Sequence, residues 1–149
     1  KTRRLKKVDS MRETDIFFHM DTSDHIKYWL DSARHDLESA ESLFAAGKYD
    51  WCLFISHIVI EKALKAVYVS VHDNEFPPKI HNLVRLAELS QLDVSDDVMD
   101  LLNRINDFNI DARYPDYKFS FYSTCTKEFT SGYFTQIKDL YSWIKSRIG

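Results

Sequence analysis

Apolar residues dominate one long stretch near the middle of the chain, Cys52 to Val71, where Phe54, Ile55, Ile58, Val59 and Ile60 leave room for only Ser56 and His57 as polar neighbours. A helix that is apolar on nearly every face belongs in the middle of a bundle. The β-branched residues also suit a strand, but strands average ~5 to 6 residues. This run is about 20 residues long without Gly or Pro, so helix is the expectation. Beyond Glu61, Lys62 and Lys65 share one side, and the helix is expected to emerge towards solvent there. Glu61 and Lys65, one turn apart, read as a helix-surface pair worth ~0.2 to 0.5 kcal/mol.

On either side the apolar positions recur every three or four residues. Ile26, Trp29, Leu30, Ala33, Leu37, Ala40 and Phe44 form one stripe, preceded by the capping side chains of Asp21 to Asp24 and stopped by Gly47. The connection through Tyr49 to Trp51 is so short that the first two helices must lie antiparallel. Pro77 and Pro78 mark a loop over residues 72–80. A short helix of about three turns with Leu83, Val84, Leu86, Ala87 and Leu89 follows, with His81 as a candidate cap.

Ser95 to Asp97 then cap a fourth helix carrying Val98, Leu101, Leu102, Ile105, Phe108 and Ala112, which Pro115 ends just after Arg113. Residues 118–125 are aromatic-rich and irregular in pattern, suited to covering one end of the bundle. Phe129, Tyr133, Ile137, Leu140, Tyr141, Ile144 and Ile148 define a last helix, in which Gly132 suits a close backbone approach. The fold expected is an all-α, up-and-down bundle of four long helices plus one short helix.

Composition sharpens this picture. With 149 residues, the chain has the size of one domain, and three Gly and three Pro favour long helices over a many-stranded sheet. Residues 1–19 form a basic tail with six of the 20 Lys and Arg and three of the 23 acids, leaving 14 against 20 and a net charge of −6 for the rest. The helical domain, residues 20–149, therefore lacks a general nucleic-acid footprint, although a local basic patch fits inside an acidic average. The tail suits a solvated or extraneous segment, or a nucleic-acid or partner-binding arm. Cys52 and Cys125 lack zinc-site spacing and are expected to be structural thiols in a cytoplasmic setting; no apolar run reaches membrane-spanning length.

Candidate chemistry is sparse. His25 and His35 fall among polar residues and read as solvated surface. His57 and Glu61 are one turn apart, but a single pair supplies too few metal ligands, and no HExxH pattern is present. Asp107, Asp111 and Asp116 lie close to Arg113 in the chain, and any of them is a candidate fork-like partner for its guanidinium.

Taken in order, the motifs resemble those of the HEPN family, small helical domains of higher eukaryotes and prokaryotes. The first helix carries Trp29, Ala33, Asp36-Leu37 and Ala40, followed by Gly47 and Tyr49; the second carries Glu61-Lys62-Ala63-Leu64-Lys65-Ala66. A proline loop precedes His81-Asn82-Leu83, and the fourth helix ends in Ala112-Arg113-Tyr114-Pro115-Asp116. The resemblance implies an up-and-down bundle, commonly a homodimer, often found beside or fused to a minimal nucleotidyltransferase. It implies a nucleotide- or RNA-related role.

Many members, toxins among them, are metal-independent ribonucleases with an Arg followed four to six residues later by His. Neither Arg104 nor Arg113 has such a His, and no His follows His81. Arg12 and His19 have the spacing but lie in the basic tail, outside the matched helices. The leading expectation is accordingly a non-catalytic dimeric module that binds a nucleotide, a nucleic acid or a partner nucleotidyltransferase, without a cofactor. Lys62, Lys65 and Arg113 would contact phosphate, Tyr114 would offer a stacking face, and His81 and Asp116 would orient the ligand. A ribonuclease using His81, and a structural dimer or adaptor using Trp51, Tyr117, Phe119, Phe121 and Tyr122, are the alternatives.

Overall fold

In a computed structural model, residues 20–148 are described, and they form six helices with no strand among them: α1 Thr22–Ala45, α2 Tyr49–Val71, α3 Leu83–Leu89, α4 Asp96–Arg113, α5 Ser120–Thr124 and α6 Lys127–Ser146. The tail and its Arg12 to His19 spacing lie outside the described residues. α2 packs against all five other helices, as its apolar surface requires. Ala33 of α1, Leu64 of α2, Phe108 of α4 and Ile137 of α6 share one core.

The predicted helix starts are realised through side-chain caps. Asp21 accepts from the Asp24 amide at 2.7 Å, and Ser95 accepts from Val98 at 3.3 Å. Thr126 does the same for Phe129 at 3.2 Å. Gly47, at φ +74°, makes the left-handed turn between α1 and α2 that a residue with a Cβ rarely adopts.

Five expectations change. The aromatic segment contains a further short helix, α5, because Asp116 accepts from both the backbone and the hydroxyl of Ser120, at 2.8 and 2.7 Å, while Phe121 packs on Phe108. α3 has seven residues, and its cap is Asn82, which accepts from the Arg85 amide; His81 points elsewhere. Gly132 faces open space, with nothing within 4 Å of where a Cβ would sit.

The fourth change concerns α2, which does not emerge after Glu61. Residues 63–69 are all buried, because α1, α3 and the proline loop cover what the lysines suggested was a wet face. His25 is likewise buried rather than solvated: its Nδ1 donates to Asn74 Oδ1 at 2.9 Å, and Asn74 in turn donates to the Met20 carbonyl, tying the start of α1 to the end of α2.

Candidate functional site

The six residues singled out from the sequence divide into two groups. The first lies along α2. Lys62 Nζ is 2.6 Å from Asp36 Oδ2 and 2.7 Å from Ser32 Oγ, so two motif residues, one on each of the first two helices, hold each other. Lys65 Nζ is 3.1 Å from Glu61 Oε2 and 5.4 Å from the Trp29 ring centre.

The other Glu61 oxygen, Oε1, is 2.7 Å from His81 Nδ1. A carboxylate only accepts, so Nδ1 carries the proton. Each charged group in this cluster already has its partner. The ammonium groups of Lys62 and Lys65 are therefore engaged within the protein instead of being presented to phosphate.

The second group stands where α4 ends. Pro115 stops the helix, leaving Arg113 and Tyr114 exposed, with the guanidinium 5.6 Å from the Tyr114 ring centre. No acid forms an ion pair with Arg113 among the described residues; the anticipated fork with a neighbouring Asp is not formed. Asp116 is occupied in capping α5, and those hydrogen bonds from Ser120 hold its carboxyl below the usual carboxylate range.

These groups do not converge. α2 and α4 run antiparallel, so the end of α4 lies beside Asp50 at the start of α2. Lys65 is fifteen residues further along α2, about 20 Å at ~1.5 Å rise per residue.

Where α4 ends lies a concavity of about 490 Å³, lined there by Asp111, Ala112 and Pro115 but not by Arg113 or Tyr114. Trp51, Phe119, Phe121 and Tyr122 give it aromatic walls, and Lys48, Asp50 and Asp111 are its charged lining. The local chain path explains the walls. Phe119 adopts a left-handed φ of 52°, which turns the chain into α5, and half-buried Phe121 anchors that helix to the core while Tyr122 remains outside.

Trp51 is 45% exposed, Tyr114 71% and Tyr117 86%. Large apolar side chains exposed near one another at one end of a bundle are a common mark of a binding surface. The sequence marked Trp51 and the aromatics of residues 117–122, but Lys48 and Asp50 carried no signal, because only the antiparallel packing brings them to the end of α4.

Asp111, half-buried at this end of the bundle, has a raised pKa. Burial is the largest cause that raises its pKa; Asp107 and Asp116 add to it, and Arg104 opposes it. Arg104 itself lies over the rings of Phe108, Phe129 and Tyr133 at 5.1 to 5.9 Å, an internal support for the same end of the bundle. Among the described residues, no group of three or more His, Cys, Asp or Glu is arranged to hold a metal, and no helix is long and apolar enough to cross a membrane.

Comparison with solved structures places this architecture among known folds. TT1696 from Thermus thermophilus superposes with a TM-score of 0.67 at 19% identity, covering 81% of this chain and 96% of that one. ST0689, an archaeal HEPN homologue, superposes with a TM-score of 0.60 at 22% identity, covering 83% and 98%. At these identities the likeness is one of fold. No curated protein matches. The HEPN domain profile matches residues 26–147, from within α1 to the end of α6 and including the motifs that carry the resemblance, and the chain therefore belongs to the HEPN domain family.

Proposed function

We propose that this chain is a non-catalytic, homodimeric HEPN module that binds a nucleotide or an unpaired stretch of nucleic acid at the α4–α5 end of its bundle. The observation that carries this reading is the exposed Arg113–Tyr114 pair, with no acidic partner among the described residues, set in the chain between Ala112 and Pro115, which line an aromatic-walled concavity. An unpaired guanidinium suits phosphate, and exposed rings suit stacked bases. Stacking platforms of this kind contribute ~1 to 3 kcal/mol per base.

The non-catalytic part of the reading rests on geometry as well as sequence. His81 is committed to Glu61, eleven residues along α2 from Asp50, about 16 Å at ~1.5 Å per residue. Proton transfer in a ribonuclease needs both the histidine and the arginine within hydrogen-bond reach of the reacting atoms, and this separation of His81 from the end of α4 within one chain supports the non-catalytic reading.

The test is titration of the purified protein with nucleoside monophosphates and a short single-stranded RNA by calorimetry, with light scattering for the mass. Binding that falls at least tenfold in Arg113→Ala and Tyr114→Ala, on a dimeric protein that leaves the RNA intact in EDTA, is the expected result. Binding unaffected by either substitution, or RNA cleavage, would overturn the reading.

A second reading, a docking surface for a partner protein such as a minimal nucleotidyltransferase, is favoured by Ile110 and Tyr117. Both are exposed, and neither lines the concavity. Aromatic anchors of this kind are enriched at protein interfaces. Under this reading nucleotides would not bind, and Tyr117→Ala would release the partner.

A further inference from the structure

Resting on the nucleotide-binding reading above, we propose that the base received by the concavity is guanine, selected by Asp50 together with Lys48. The two residues flank Tyr49 where α2 begins, and both line the cavity. Among the described residues neither side chain makes an ion pair or hydrogen bond, so the acceptor and the donor are both unspent. The cavity, at about 490 Å³, falls within the ~300 to 1,000 Å³ of small-molecule sites.

The choice of base follows from what each edge displays. Guanine presents two adjacent donors, N1–H and the N2 amino group, which one carboxylate accepts with its two oxygens, and beside them the O6 acceptor, which an ammonium fills. Adenine and cytosine place a ring-nitrogen lone pair next to the amino group, against which a carboxylate is repelled. Uracil offers a single N–H between two carbonyls.

An arginine side chain from a partner protein also suits carboxylates and aromatic walls. It would, however, bring a positive charge against Lys48, and that lysine turns the balance towards a neutral base with an acceptor edge. Asp111, on the facing helix and two residues before Arg113, is placed for the ribose hydroxyls of a nucleotide whose phosphate lies at Arg113.

Calorimetry on the full chain with GMP, IMP, AMP, CMP, UMP and Nα-acetylarginine amide tests this. GMP is expected to bind at least tenfold more tightly than AMP, CMP or UMP, and IMP, which lacks only the N2 amino group, is expected to fall between. Asp50→Asn is expected to erase the GMP preference, and Lys48→Met to weaken GMP and IMP together, with thermal unfolding unchanged in both. Equal affinities across the bases, or a preference that survives Asp50→Asn in the folded protein, would overturn the guanine assignment while leaving the nucleotide reading in place. Binding of acetylarginine amide with none of any nucleotide would overturn both.

Discussion

Lys65 and Glu61, one turn apart on α2, are 3.1 Å from one another and only 7% and 8% exposed, so the pair that sequence spacing suggests as a surface contact lies within the protein. Taking two charges out of water costs several kcal/mol per ion, which their attraction offsets only while both are present. Glu61→Ala leaves the Lys65 ammonium buried and unpaired and removes the acceptor of His81. It is expected to destabilise the fold by about 3–5 kcal/mol. Glu61→Leu with Lys65→Met is expected to recover most of that loss. Urea unfolding of Glu61→Leu, Lys65→Met and the double variant measures the coupling, and a double variant as unstable as Glu61→Leu alone would disprove it.

Gly132 sits inside α6 with open space around it. A helix-interior glycine costs roughly 0.5–1 kcal/mol relative to alanine, through the extra freedom of the unfolded chain. Gly132→Ala is therefore expected to raise stability by about that amount. A lower midpoint in chemical denaturation would show that this position has a contact the monomer does not display.

His57 links stability to pH. Its Nδ1 accepts from the Asn109 amide at 3.3 Å, so the neutral ring carries its proton on Nε2. Burial holds its pKa below the ordinary 6.5, and the charge of Glu61 opposes that only in part. The unfolded chain takes up a proton near pH 6.5 that the folded chain refuses. Stability therefore falls as pH drops below that value, by up to about 1.4 kcal/mol per pH unit for one proton, until the folded ring itself protonates. His57→Gln is expected to flatten the loss between pH 7.5 and 5.5, read from thermal midpoints. Identical pH profiles for both proteins would exclude His57 as the source.

The two thiols are expected to be unreactive in the folded state. Cys52 and Cys125 are buried, and burial pushes both up to about 12. Only the thiolate reacts readily. Neither is expected to react with a disulfide reagent at pH 8 in native buffer, and both should react promptly in denaturant. Fast native labelling of either one would indicate local opening at α2 or at the α5–α6 junction.

How far the sequence reaches can be judged from individual residues. The heptad-like stripes, Asp21, Ser95 and Gly47 determined the four long helices and most of their ends, because helix period and capping are local properties of the chain. The central place of α2 was legible for the same reason: a helix apolar on every face has to be surrounded. α5 was not legible: its cap, Asp116 to Ser120, is local, but the packing of Phe121 on Phe108 that holds it to the bundle depends on the tertiary fold.

What only tertiary structure decided is which charges are available. Sequence alone grouped Lys62, Lys65, His81, Arg113, Tyr114 and Asp116 as candidates for one site, in different roles. Folding gave Lys62 to Asp36, Lys65 and His81 to Glu61, and Asp116 to Ser120, and it left Arg113 and Tyr114 in the open. It also brought Lys48, Asp50 and Trp51 from the start of α2 to the end of α4. The physical reason is that a helix propensity belongs to neighbours along the chain, whereas the pairing of a charge depends on whichever group the packing sets within a few ångströms of it.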